Sequence, residues 1–341
     1  MYNIGDKNFS QLLYNCFMEK LFEIKNLNLK YPVKNAFSSK TKEYIYAVNN
    51  VSLDIYKGEI LGLVGESGCG KSSLGKCLLR LEENFDGQVL FKGQNILENK
   101  NLKDYRKAVK MIFQNPYASL NPRMTIYDIL KEPFLIYGIK DKNYIKSEIE
   151  KVCDLTGIAK SSLTYYPHEF SGGQRQRISI ASSIILNPEF IVADEPVSAL
   201  DVSIRAQIIN LLKDLRKELN LTILFISHDL SVVRYLCGRT AVMYLGEVVE
   251  IGEGKTLFEN PKHPYTKALL NSVPLISAEK KKKELLTGDL PSPKNPPAGC
   301  KFHTRCPEAQ SCCAVKNPEY IYFEKDMVKC HLYDGFENCK I

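Results

Sequence analysis

The sequence predicts an α/β fold that carries a phosphate-binding loop and ends in a cysteine-rich tail. Three observations lead there. Strand-like apolar runs alternate with amphipathic helical segments. A glycine-rich loop stands between one such run and a helix. Six of the eleven cysteines (300, 306, 312, 313, 330 and 339) fall within the last 42 of 341 residues. Hydrophobic residues make up 44% and charged residues 25%, which argues against a disordered chain. The length suits about two domains. Lys and Arg number 46 against 39 Asp and Glu, a net charge of +7. That excess suits a phosphate ligand, a nucleic acid or an acidic membrane face, and selects none of them. No apolar run approaches the ~18–20 residues needed to cross a bilayer. Asp6 and Lys7 interrupt the N-terminal stretch, so no secretory leader is expected. Without export, the tail cysteines are expected to serve as metal ligands rather than disulfides.

Residues 1–17 read as an N-terminal extension, with Phe9, Leu12, Leu13, Cys16 and Phe17 at amphipathic helical spacing and Met18 as a second plausible start. A nucleotide-binding body is expected over 18–275. Strands are predicted at 22–25, 51–55, 60–64, 89–91 and 109–113. A mostly helical insertion follows at about 115–187, marked by Ile126, Ile129 and Leu130 and then by Ile145, Ile149 and Val152. Strands return at 190–193, 222–226 and 240–245. Between the first two, a helix over 202–219 sets Ile204, Ile208, Leu211, Leu212, Leu215 and Leu219 on one face for packing on a sheet. Strands alternating with helices around an insertion imply a sheet covered on both faces. The run Lys280, Lys281, Lys282, Lys283 and then Pro291, Pro293, Pro296 and Pro297 mark a linker, 276–299, before the cysteine-rich segment 300–341.

Gly65-Glu66-Ser67-Gly68-Cys69-Gly70-Lys71-Ser72 fits G-x-x-x-x-G-K-[ST], after an apolar strand and before a helix. Its glycines let backbone N–H groups turn inward around phosphate oxygens, and the helix N-terminus adds its dipole. Lys71 is placed to reach the β- and γ-phosphates, Ser72 to bind Mg²⁺, and Ser73 to lie alongside. Cys69 lies near Lys71 and inward-pointing amides, surroundings that can lower a thiol pKa; the plainer reading is a small filler residue. A second half-site follows the strand at 190–193. Asp194 is placed to hold Mg²⁺ through water, and Glu195 to polarise an attacking water.

Ser171-Gly172-Gly173-Gln174, followed by Arg175-Gln176-Arg177, narrows the reading. With it the sequence resembles the ATP-binding subunits of ABC transporters. The resemblance implies a P-loop NTPase core of RecA-like type with an antiparallel β subdomain and a helical insertion. It implies that Ser171, Gly172, Gly173 and Gln174 face the ATP of a partner subunit. It assigns Gln114 to Mg²⁺ and to the insertion, Ser198 and Asp201 to the dimer-interface loop, and His228 to the γ-phosphate. It assigns Tyr31 to adenine stacking, with Phe37, Tyr44 and Tyr46 as alternatives. ATP hydrolysis is expected, with Glu195 and His228 as catalytic residues.

Three further stretches resemble the dipeptide, oligopeptide and nickel importer ATPases, especially their F-type subunit: 195–203, 260–270, and 290–293 with 299–307. The partners implied are a second ABC ATPase in a heterodimer, two membrane permeases and an extracytoplasmic solute-binding protein. The place implied is peripheral, on the cytoplasmic face of the membrane. A nickel or other solute importer is the alternative. A DNA-associated ABC-type ATPase is a distant one, disfavoured by the absence of long heptad arms and C-x2-C modules, so no nucleic-acid partner is expected. In this family the tail cysteines of some members hold an iron–sulfur cluster. Cys300, Cys306, Cys313 and Cys330 fit that spacing, Cys312 rivals Cys313, and Cys339 has no assigned role. The resemblance implies a [4Fe–4S] cluster, with Zn²⁺ and free thiols as alternatives; His303 and His331 keep a mixed Cys/His zinc site open. Cys16, Cys77, Cys153 and Cys237 need no role beyond packing.

Overall fold

The structure is a computed structural model that describes residues 19–33, 43–272, 288–323 and 326–334. The N-terminal extension, Met18, Phe37, the lysine run at 280–283 and Cys339 lie outside the described residues. The chain divides into two compact units that interleave in sequence: residues 57–60 and 98–227 form one, and the remainder forms the other.

The first unit opens with β1 (Lys20–Pro32) and β2 (Tyr44–Tyr56), an antiparallel pair. After the fully buried β3 (Ile60–Val64) come α1 (Lys71–Leu78), β4 (Phe85–Phe91) and β5 (Gln94–Asn95). β4 pairs antiparallel with β1 and with β5, giving a four-stranded antiparallel sheet in the order β2-β1-β4-β5.

The second unit holds α2 (Leu102–Ala108), β6 (Val109–Ile112), α3 (Pro116–Ser119), α4 (Ile126–Ile136), α5 (Lys142–Thr156) and α6 (Gly172–Ile184). It continues with β7 (Phe190–Asp194), α7 (Val202–Glu218) and β8 (Thr222–Ile226). β6, β7 and β8 pair in parallel, with Phe190 opposite Val109 on one side and Thr222 on the other. The residues of β8 and four of the five in β7 are buried, the continuous apolar run expected of strands covered on both faces. Asn115, Thr125, Asp141 and Ser171 cap their helices by accepting backbone N–H bonds. Helix α7 buries Ile208, Ile209, Leu211, Leu212 and Leu215. Ile209 joins the expected face, because a 3.6-residue period widens the stripe beyond the residues counted from spacing.

The first unit then resumes with α8 (Leu230–Leu236), β9 (Arg239–Tyr244), β10 (Glu247–Glu253), α9 (Gly254–Glu259) and α10 (Pro264–Asn271). β9 runs parallel to β3 and antiparallel to β10. The short strands β11 (Ile321–Tyr322) and β12 (Met327–Val328) extend this sheet through β10. The cysteine-bearing segment is built from single 3₁₀ turns at His303–Arg305, Ser311–Ala314 and His331–Tyr333. It docks on β10 through Lys329, whose ammonium bonds Glu247 at 2.6 Å. Each side chain of that pair is 3% exposed, so the charges are paired where burial would otherwise penalise both.

Candidate functional site

The phosphate loop, residues 65–70, joins β3 to α1 in the first unit. Gly70 has φ 106°, and a Cβ there would lie 1.9 Å from the Ala47 carbonyl oxygen, so no other residue fits without moving backbone. No side chain caps α1, which suits a helix whose first turn faces a phosphate. The Lys71 ammonium donates to the carbonyls of Gly65 at 2.8 Å and Glu66 at 2.9 Å, which holds it inside the curl of the loop. Cys69 is 1% exposed, and burial pushes its thiol above the ordinary range despite the nearby Lys71. Desolvation thus outweighs the local positive charge, which agrees with the plainer reading of Cys69 as a small filler residue rather than with a lowered thiol pKa. Burial pushes the Tyr31 phenol above its ordinary range, and Ser73 of α1 beside it offsets part of that rise. Tyr46 is 42% exposed, and the Lys30 ammonium stands 5.3 Å from the Tyr44 ring centroid. His228 is exposed, just before Asp229, which caps α8.

The second unit carries the acidic pair and the S-G-G-Q segment. Asp194 ends β7. Glu195 follows at φ 47°, an unusual conformation for a residue with a side chain. Its N–H donates to the Ile226 carbonyl at 2.9 Å, and its carboxylate accepts from Gln114 Nε2 at 3.0 Å. The Ser198 hydroxyl and N–H both return to the Glu195 carbonyl, at 3.0 and 3.2 Å. Asp201 precedes α7 and takes the Arg205 N–H on its carbonyl. Ser171 and Gln174 form a reciprocal capping box at the start of α6, with Ser171 N–H on Gln174 Oε1 at 2.9 Å. A Cβ on Gly173 would stand 2.3 Å from Ile204 Cγ2, so the close approach of α7 requires glycine there. Arg175, buried beneath, donates to the Pro167 and His168 carbonyls and stacks 4.0 Å from the Tyr117 ring centroid.

In the C-terminal segment, Cys300, Cys306, Cys313 and Cys330 line one pocket with His263, His303 and His331. Burial raises the thiol pKa values of Cys300, Cys306 and Cys330, to about 11 at Cys306 and about 12 at Cys330, and the neighbouring cysteines add to the rise. The nearby N–H groups of Phe302, Glu308 and Leu332 offset part of that rise at Cys300, Cys306 and Cys330 respectively. The Gln310 N–H approaches Cys313 Sγ at 3.5 Å. Among the described residues, no three Cys, His, Asp or Glu side chains close to metal-holding distances. Cys312 is disulfide-bonded, contrary to the expectation that the tail cysteines avoid such bonds. It does not line the pocket, whereas its neighbour Cys313 does. His331 has both ring nitrogens engaged, with Asp334 at 2.7 Å and the Lys316 carbonyl at 2.9 Å. His303 spends Nδ1 on the Cys300 carbonyl at 2.7 Å.

Residues 48–198 match the ABC transporter family, and residues 249–313 match the oligopeptide/dipeptide transporter C-terminal region. The chain is 48% identical to the oligopeptide transport ATP-binding protein AppF of Bacillus subtilis (strain 168), over 92% of this chain and 98% of that one. The chain belongs to the ABC ATPases of the oligopeptide-transport family. A second relative, the oligopeptide transport ATP-binding protein OppF of Haemophilus influenzae, is 46% identical over 89% of this chain and 93% of its own. Among solved structures, cbiO1 from Clostridium perfringens, part of an ABC transporter complex, aligns with a TM-score of 0.62 at 26% identity. That match covers 71% of this chain and 92% of cbiO1. A dimeric ATP-binding cassette in a post-hydrolysis state bound to ADP and Pi aligns at 0.60 and 27% identity, over 68% and 98%.

As an ABC ATPase the chain is an ATP-hydrolysing enzyme built on the α/β fold of these cassettes, antiparallel sheet included. Among the described residues, no helix is long and apolar enough to cross a membrane. The loop, the acidic pair and the S-G-G-Q segment are marked by sequence motifs. Tyr265 and Arg305, which touch the phosphate loop from the C-terminal part of the chain, are not. An isolated tyrosine and arginine carry no spacing signal, and only the fold brings them to residue 66.

Proposed function

We propose that this chain is the ATP-hydrolysing subunit that energises peptide import by a membrane ABC transporter. The observation that carries this reading is the joining of the complete nucleotide-binding set to a C-terminal region matched by the oligopeptide/dipeptide transporter family. In this reading the amides of residues 65–73 and the Lys71 ammonium hold the phosphates, with Tyr31 against the adenine. Ser72, Gln114 and Asp194 serve Mg²⁺. Glu195 orients the attacking water and His228 contacts the γ-phosphate. The Gln114–Glu195 hydrogen bond at 3.0 Å supports a shared duty for those two. Ser171, Gly172, Gly173 and Gln174, with Ser198 and Asp201, serve a second ATPase subunit in a heterodimer. The chain would sit peripherally on the cytoplasmic face, against two permeases fed by a solute-binding protein. Labelled-peptide uptake in a deletion strain tests this. Uptake should vanish on deletion and return with the wild-type chain. Intact peptide uptake alongside lost nickel uptake would favour the metal importer, and ATPase stimulation by duplex DNA the DNA-associated reading.

The cysteine pocket supports a further domain-level proposal, a small metal-stapled extension over 300–341 after a linker at 276–299. Segments this short seldom hold a core of their own. Burial disfavours free thiolates, and a metal that replaces the thiol protons relieves that penalty. The chemistry of the donor set therefore suits a metal, although its sulfurs are not drawn in to metal-holding distances. Cys300, Cys306, Cys313 and Cys330 would hold a [4Fe–4S] cluster, which here would supply structural cross-linking. Anaerobic purification should yield iron and sulfide with broad visible absorbance. Stoichiometric zinc without iron would replace the cluster, and metal-free thiols would remove it.

A further inference from the structure

Glu66 is held at all three of its polar groups. Its N–H donates to the Tyr265 hydroxyl at 3.0 Å, and its carbonyl accepts from Lys71 at 2.9 Å. Its carboxylate takes a two-pronged grip from Arg305, Nη1 to Oε2 at 2.8 Å and Nη2 to Oε1 at 3.1 Å. The Arg305 side chain is 6% exposed against 25% for Glu66, so the cation is carried in from the protein side. It is itself braced: Nη1 also reaches the Tyr244 hydroxyl at 3.5 Å, and its N–H bonds the Phe302 carbonyl at 3.0 Å. Phe302 stands edge-on to Tyr244 and Tyr265, with centroids 5.3 and 5.4 Å away. Both Phe302 and Arg305 lie between Cys300 and Cys306 in the chain.

We infer that Arg305 is a positioning residue of the phosphate loop, through which the cysteine-bearing segment sets the affinity for ATP. Two physical effects combine. A bidentate guanidinium–carboxylate pair fixes the geometry of the loop from outside it. The same pair cancels a carboxylate that would otherwise stand beside the polyanionic phosphates. Removing Arg305 alone leaves that carboxylate unpaired, so the variant loses both the brace and the charge balance.

The test compares ATP binding by the full-length chain carrying Arg305→Ala, Arg305→Lys, or Arg305→Ala with Glu66→Gln. The account expects Arg305→Ala to raise the Kd for ATP about tenfold, and Arg305→Lys, which keeps the charge without the fork, to fall between it and wild type. The double variant should recover only the share of the loss that comes from the unpaired charge, because the brace is still missing. In the assembled transporter the Arg305→Ala defect should appear in KM more than in kcat. A purely structural role would instead expose the thiols of Cys300 and Cys306 to a thiol reagent, and Glu66→Gln would give no rescue. The inference is overturned by an Arg305→Ala Kd within twofold of wild type, or by a double variant no better than the single one. It rests on ATP binding at the phosphate loop, and Lys71→Ala separates the two. If Lys71→Ala leaves ATP binding intact, the site reading fails; if it abolishes binding while Arg305→Ala is silent, only the inference fails.

Discussion

At the scale of single residues, burial decides which groups keep their ordinary chemistry. Cys69 shows the point: a lysine two residues away and a ring of amides suggest a reactive thiol, yet the side chain is 1% exposed and its pKa rises. The sequence shows the charges but not the solvent, so this environment was not legible in it. His263 gives a sharper consequence. It is 1% exposed, its Nδ1 accepts the Tyr265 N–H at 3.0 Å, and its N–H donates to Glu250 at 3.0 Å. Burial, then the charges of Lys267 and Lys329, lower its pKa to about 3 from 6.5. The unfolded chain therefore takes up a proton below about pH 6.5 that the folded chain refuses until about pH 3. Stability contributed by neutral His263 is present above that window and lost as pH falls through it, at up to ~1.4 kcal/mol per pH unit. His263→Asn keeps a capping acceptor without a titrating group. Its melting temperature should drop less than that of wild type between pH 7.5 and 5.0; an equal drop in both would show that His263 is not the sensor.

At the scale of elements, what was legible followed from periodicity. The strands at 60–64, 190–193 and 222–226 are continuous apolar runs, and β3, β7 and β8 lie there. The helical spacing at Ile126, Ile129 and Leu130 and at Ile145, Ile149 and Val152 falls on α4 and α5, where those six residues are buried. Short or mixed elements escaped. β10 carries Glu247, Glu250 and Glu253 in seven residues, which hides a strand whose first two glutamates are buried by partners distant in sequence. Glu247 meets Lys329, and Glu250 accepts the N–H groups of Lys262 and His263. The turns of the cysteine segment were equally invisible as secondary structure, since their order comes from isolated backbone turn bonds and from docking on β10 rather than from a repeating pattern. The motifs are visible in the sequence as residue patterns, but the contacts that support them are not. The Ser171–Gln174 capping box and the close approach of Ile204 to Gly173 give reasons for the S-G-G-Q composition that stand apart from any ligand.

At the scale of the whole molecule, the chain combines an ATP-hydrolysing cassette with a C-terminal segment that reaches back to the phosphate loop through Arg305. The oligopeptide-transport family fixes the enzyme class, and the proposed coupling to peptide import rests on the hydrolytic role of Glu195. The most direct measurement is ATP turnover by this chain assembled with its cognate ATPase and permeases, with and without Glu195→Gln. The account predicts that ATP binding persists while turnover falls by about a hundredfold or more, because the bound water loses the carboxylate that orients it. An unchanged rate in Glu195→Gln, or no ATP turnover by the intact complex, would contradict it.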